Sequence, residues 1–179
     1  KFYLRIEDTD KKRSNNEFKD NIISGLKWLG IHYDEDPYIQ SQRIERHQEI
    51  AYQLLNQNKA FKCICTLETL EKKREENIKN KINLKRLCET CENNLKIQSL
   101  TEGYAIRIKI PNTDQTSIND LIQGSIKVQN KELDNFILLR NNGSPTYMLS
   151  VVVDDFDMGV NLIIRGDDHL NNVFRQFYI

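Results

Sequence analysis

The sequence predicts an α/β fold, and three observations carry that expectation. A short, alternating, β-rich segment, Phe2–Ile6, passes through a polar end, Glu7-Asp8-Thr9-Asp10, into a helix pattern; strand, polar turn and helix form the unit of doubly wound α/β folds, which hold ligands at strand carboxyl ends. A second helix pattern and a series of short β-like segments follow, spread between Ser41 and Arg165. The longest apolar stretches, near Phe136–Leu139 and Val151–Val153, are strand-sized, which excludes a helical membrane span.

The chain has 179 residues, enough for one large domain or two small ones with a real core. Its 26 basic residues balance 26 acidic ones, so net charge names no partner; a nucleic-acid binder of this composition has to segregate its charges onto separate surfaces. The chain starts at Lys1 without a Met and ends in mid-pattern at Ile179, so it is expected to be part of a longer protein. No secretory leader is visible, which favours a cytoplasmic setting and reduced thiols over a disulfide framework.

The elements are expected as follows. Ser14 with Glu17 three residues on has capping-box spacing, and Phe18, Ile22, Ile23, Leu26 and Leu29 recur at helical intervals up to a Gly30 stop. Ser41–Asn58 is the second helix, with Ile44, His47, Ile50, Ala51, Leu54 and Leu55 on one face. Ala60–Ile64 reads as a strand and Leu67 to about Leu87 as a charged helix. Tyr104–Ile110 alternates as a strand ended by Pro111; Ile118–Ile122 and Gly124–Val128 are short β-like pieces; Phe136–Arg140 is a strand before the turn Asn141-Asn142-Gly143. Tyr147 is expected at a strand edge, and Val160–Arg165 as a final strand. The change of character near residue 60, reversed near residue 143, marks an inserted domain.

Five groups of residues bear on chemistry. Arg5-Ile6-Glu7-Asp8-Thr9-Asp10 sets carboxylates at a strand end, where they either hold an ammonium group or ribose, or cap the next helix. Gly143-Ser144-Pro145-Thr146-Tyr147 followed by Val151-Val152-Val153-Asp154-Asp155 offers a Tyr hydroxyl and ring; Asp154 and Asp155 read as bracing groups. Arg165 in Leu162-Ile163-Ile164-Arg165-Gly166-Asp167-Asp168-His169-Leu170 can clamp a carboxylate through paired hydrogen bonds. Cys63 and Cys65, then Cys88 and Cys91, supply four soft ligands in two close pairs, either a closed structural zinc or plain reduced thiols. Residues 71–86 hold seven Lys/Arg (Lys72, Lys73, Arg74, Lys79, Lys81, Lys85, Arg86) against three Glu, either a phosphate-binding face or a solvated helix surface.

Several of these strings resemble the glutamyl-tRNA synthetase family. They are Leu4 to Asp10 with the basic residues after it, Gly25-Leu26-Lys27-Trp28-Leu29-Gly30-Ile31, Tyr33-Asp34-Glu35, Tyr38-Ile39-Gln40-Ser41-Gln42-Arg43, the Gly143–Asp155 stretch and Leu162–Leu170. Glu7 with Thr9 and Asp10 is closer to the glutamyl enzymes than to the glutaminyl ones or to the short tRNA-modifying relatives. The resemblance implies a class I synthetase Rossmann-like nucleotide-binding fold, with parts at residues 1–60 and 144–179, interrupted by a small α/β acceptor-binding insertion at residues 61–143.

The same resemblance implies ATP-dependent attachment of L-glutamate to tRNA(Glu), or also tRNA(Gln), through glutamyl-adenylate, using Mg²⁺ with ATP; nothing in the sequence argues against a monomer. It implies that Glu7 binds the glutamate amino group, Tyr147 and Val151 line the pocket, Arg165 holds a carboxylate, and Asp168 and His169 lie near ATP. Where some relatives have Asn, Val151 can contribute only shape or backbone contact. Zinc on Cys63, Cys65, Cys88 and Cys91 would staple a loop. A HIGH-type motif is expected before Lys1 and a KMSKS-type loop after Ile179, so these residues alone are expected to be inactive. Alternatives within the same resemblance are the relative that attaches glutamate to a modified tRNA base, and a non-catalytic tRNA-binding module.

Overall fold

The computed structural model describes residues 1–9, 14–80 and 88–179. Asp10 of the first motif with Lys11, Lys12 and Arg13 after it, Lys81, Lys85 and Arg86 of the basic stretch, and the expected helix end near Leu87 lie outside the described residues.

The first strand is shorter than expected: β1 is Arg5–Ile6, paired in parallel with β2, Tyr38–Ile39. Helix α1, Asn16–Trp28, joins them. Its cap is Asn15, one residue past the predicted Ser14, because the Asn15 side chain reaches Phe18 N–H at 2.8 Å. Gly30 ends it as predicted: at φ +70 it closes a Schellman turn, its N–H on Lys27 O and that of Ile31 on Leu26 O.

The second predicted helix begins as a 3-10 turn, Gln40–Arg43, and becomes α2, Ile44–Asn56, burying His47, Ala51 and Leu54. Strand β3, Ala60–Cys63, then pairs antiparallel with β4, Ala105–Ile108, which pairs with β7, Ile137–Leu139. Between β3 and β4 lie α3, Leu67–Lys79, and two single-turn helices, α4, Glu89–Glu92, and α5, Leu95–Gln98. The expected pieces between β4 and β7 form a hairpin, β5 (Gln115–Asp120) with β6 (Gly124–Gln129).

Alternation along β4 sends Ile106 and Ile108 into the main core and Arg107 to the opposite face. That core runs from Ala51 and Leu54 of α2 through β3, β4 and β7 to Leu149, Val153 and Phe174. A second, smaller cluster of Phe61, Cys63, Leu70, Cys88 and Cys91 lies on the other face of β3.

Two expectations are corrected. Tyr147 does not sit at a strand edge; it opens helix α6, Tyr147–Asp157. The β-branched run Val151–Val153 favours a strand by propensity, but a helix lets Leu149, Ser150, Val153 and Asp154 bury along one face, and tertiary burial wins. Residues Val160–Arg165 are not a strand either. Leu162, Ile163 and Ile164 are exposed, and no ladder pairs with them among the described residues. Helix α7, Leu170–Gln176, follows a 3-10 turn at Asp167–His169.

Helix α6 is fixed by one buried carboxylate. Asp154, 1% exposed, accepts from Gln40 Nε2 at 2.9 Å and Arg43 Nε at 2.8 Å, and pairs with His47 Nε2 at 2.9 Å. Burial pushes its pKa up, but the bonds from His47, Arg43 and Gln40 outweigh that and hold it at about 2, against 3.8 for a free side chain. A folded-state value below the unfolded one stabilises the fold above about pH 4, and that contribution disappears as pH falls towards 2. Asp154→Ala is expected to cost about 3–5 kcal/mol in urea unfolding at pH 7, because it leaves the buried His47 and Gln40 side chains without their acceptor and takes one of the two carboxylates that Arg43 engages. The variant's deficit relative to the parent should shrink between pH 4 and 2.

Candidate functional site

The helical period of α6 sets Tyr147, Val151 and Asp155 in one stripe, four residues apart, on the face away from the core. Facing it are Arg5 of β1 and Glu7, the residue just past the end of that strand. The irregular segment after α6 brings Arg165, and α7 brings Gln176. Together these residues line an open cleft of about 250 Å³ with Val160, Leu162, Ile163 and Ile164. Four separately predicted residues, Glu7, Tyr147, Val151 and Arg165, therefore share one cleft. Val151 is buried and Tyr147 is 41% exposed, so the ring forms a wall open to solvent.

The charges in the cleft are ordered. Arg5 Nη1 donates to Asp155 Oδ1 at 2.6 Å, and its Nη2 and Nε donate to Glu7 Oε1 at 3.0 and 3.3 Å. Burial disfavours the Arg5 charge, and the bonds to Asp155 and Glu7 more than restore it. Arg165 Nη1 instead donates to the neutral Gln176 Oε1 at 3.0 Å. Neither Arg5 nor Gln176 stood out as a site residue in the sequence: Arg5 was part of a motif without a role, and a lone Gln in a helix carries no local signal.

Asp8, the next acid of the first motif, points elsewhere. Its carboxylate accepts from Ser41 N at 2.8 Å and Ser41 Oγ at 2.6 Å, capping the turn before α2. Asp168 and His169 are exposed on the 3-10 turn beyond Arg165, 3.6 Å apart, and do not line the cleft.

The four cysteines come together at the second cluster. Sulfurs of Cys63, Cys65 and Cys88 lie within 4.8 Å of one another, and Cys91 Sγ is 3.4 Å from Cys65 Sγ. All four are free thiols. A hydrogen bond from Cys88, opposed by burial and aided by Cys65 backbone and by Arg107, pulls Cys63 down to about 5; burial pushes Cys91 up to about 11. A tetrahedral zinc with ~2.3 Å bonds sets its sulfurs ~3.8 Å apart, so this buried, all-thiol donor set suits a closed structural ion. In the basic stretch, Lys72 pairs with Glu68 at 2.7 Å on the exposed face of α3.

Residues 1–179 match the model of the class I tRNA synthetase (E and Q) catalytic domain. The chain belongs to that family. It is 47% identical over 183 residues to glutamate–tRNA ligase 2 of Zymomonas mobilis, covering 99% of this chain and 37% of the relative. It is 48% identical over 179 residues to glutamate–tRNA ligase 1 of Ehrlichia canis, covering 100% of this chain and 38% of that one. The crystal structure of a glutamate tRNA ligase from Elizabethkingia meningosepticum, solved in complex with its amino acid, superposes with a TM-score of 0.81 at 28% identity, over 98% of this chain and 39% of that one. The fold is thus the α/β catalytic fold of class I synthetases expected from the sequence, and the chain spans under two-fifths of the length of these relatives. Among the described residues no helix is long and apolar enough to cross a membrane.

Asp8→Ala should leave the cleft side chains in place but cost about 1 kcal/mol of stability, the usual worth of a lost cap, read by urea unfolding.

Proposed function

We propose that the full-length protein is a glutamate–tRNA ligase acting in the cytoplasm, and that the cleft between β1 and α6 is its glutamate pocket. The observation that carries this is convergence: an acid from the start of the chain joins a Tyr, a small apolar wall and an arginine from two stretches about 140 residues further on, and all line one cleft. Glu7 offers a carboxylate to the substrate ammonium, and Arg165 a guanidinium fork to a substrate carboxylate. Tyr147 contributes its ring and hydroxyl; Val151 offers shape alone. Asp168 and His169, on the turn after Arg165, face ATP with its accompanying Mg²⁺.

In the proposed reaction the glutamate α-carboxylate attacks the α-phosphate of ATP, forming glutamyl-adenylate and releasing pyrophosphate. A terminal ribose hydroxyl of tRNA then takes the glutamyl group and AMP leaves. No covalent enzyme intermediate is required: the side chains position charge and substrate. Residues 1–60 and 144–179 are proposed as the catalytic part. Residues 61–143 are proposed as an insertion for the tRNA acceptor end, with Lys72, Lys73 and Arg74 of α3 near phosphates and Cys63, Cys65, Cys88 and Cys91 holding a structural zinc. The partners are tRNA(Glu), or also tRNA(Gln), and the enzyme acts as a monomer.

The test is glutamylation by the full-length protein with ATP, glutamate and unmodified transcripts of both tRNAs. Charging of tRNA(Glu) is expected, and Arg165→Ala should lower kcat/KM for glutamate by at least about a hundredfold, the scale for losing a charged hydrogen-bonded contact. Charging of both transcripts would mark a non-discriminating enzyme. Charging of neither by folded protein would transfer the proposal to the tRNA-modifying relative or the binding module. For the cysteines, purified protein should carry stoichiometric zinc, and cobalt exchange should give a thiolate charge-transfer band that Cys65→Ala and Cys88→Ala weaken.

A further inference from the structure

The two arginines of the cleft differ in their partners, and the difference assigns them different work. Arg5 sits between two carboxylates, Asp155 at 2.6 Å and Glu7 at 3.0 Å, with its side chain 17% exposed. Its charge is balanced before any ligand arrives. Arg165 is half-buried, and among the described residues no carboxylate pairs with it; its hydrogen bond goes to the amide oxygen of Gln176 at 3.0 Å. An amide fixes a guanidinium's direction without cancelling its charge, whereas a carboxylate does both.

We propose that Gln176 is a positioning residue for glutamate binding: it aims Arg165 into the cleft and, being neutral, leaves that cation available to a substrate carboxylate. Gln176 stands on α7, whose Phe174 is anchored in the main core, so the amide is presented from a rigid element. Arg165 itself stands on a segment with no ladder bonds, so its direction depends on a partner of this kind. Arg5 also fixes Glu7 Oε1, and because Asp155 shares the same guanidinium the three groups together keep one net negative charge in the cleft for a substrate ammonium.

This inference rests on the glutamate-ligase reading. The experiment is tRNA charging by the full-length protein with Gln176→Glu and Gln176→Met, reading KM and kcat for glutamate and KM for ATP. Gln176→Glu keeps the size of the side chain but neutralises Arg165. It is expected to raise the glutamate KM about ten- to a hundredfold, the range for one hydrogen-bonded charge, with the ATP KM unchanged. Gln176→Met keeps the length but removes the acceptor, and should raise the glutamate KM by less than Gln176→Glu does. Gln176→Glu indistinguishable from the parent, or less damaging than Gln176→Met, overturns the proposal, because a packing role tolerates the isostere. Should Gln176→Glu fail to fold, Gln176→Met decides: an unchanged glutamate KM overturns the proposal and a raised one supports it. A parent protein that charges no tRNA overturns the ligase reading, and this inference with it; a parent that charges normally, beside an unaffected Gln176→Glu, overturns this inference alone.

Discussion

One buried carboxylate sets the rest. Asp154 is on the inner face of α6, and its three partners, Gln40, Arg43 and His47, come from the turn before α2 and from α2 itself. A charge in that position is tolerable only with its acceptor sites filled, and here donors separated from it by more than a hundred residues fill them. These three bonds hold α6 in the rotation observed. That rotation buries Leu149, Ser150 and Val153 and turns Tyr147, Val151 and Asp155 to the cleft. The shape of the pocket is therefore tied to a buried interaction on the neighbouring, inner face of the same helix.

A second constraint attaches the cysteine cluster to the sheet. The Gln98 side chain acts as a short strand partner for β3, accepting from Lys62 N at 2.9 Å and donating to Lys62 O at 2.9 Å and Cys91 O at 2.7 Å. Lys109 reaches Glu92 at 3.2 Å and ties α4 to the segment just past β4. The four thiols thus rest on a hydrogen-bonded frame that does not itself involve sulfur. The main core runs on without a break from α2 through β3, β4 and β7 to α6 and α7.

Much of this was legible in the order of residues. The span of α1, the buried face of α2, the Gly30 stop, β3, β4 and β7, and the turn at Gly143 all follow from local periodicity and turn chemistry, whereas the apolar stripe of α1 buries none of its residues. The cap of α1 lies one residue past the Ser14 that capping-box spacing predicts, because Ser14 and Asn15 are both good caps and only the backbone path chooses between them. The fate of Tyr147–Asp157 was not legible. A β-branched, apolar run suits a buried strand or a buried helix, and length and propensity pointed to the strand. Val160–Arg165 reads as a strand for the same reason, yet strand formation depends on a neighbour to complete the ladder, which no local pattern encodes.

By itself, the sequence determined the chemical types of the site, an acid after a strand, a Tyr after Pro-Thr, an arginine before Gly166 and four thiols in two pairs, because composition and spacing are local properties. The tertiary structure alone decided which of those groups share a cleft, which arginine is already neutralised, and that Asp8 caps a turn while Gln176 holds Arg165. The physical reason is distance along the chain: Arg5 and Asp155 are 150 residues apart, and only packing brings such pairs within reach of a hydrogen bond.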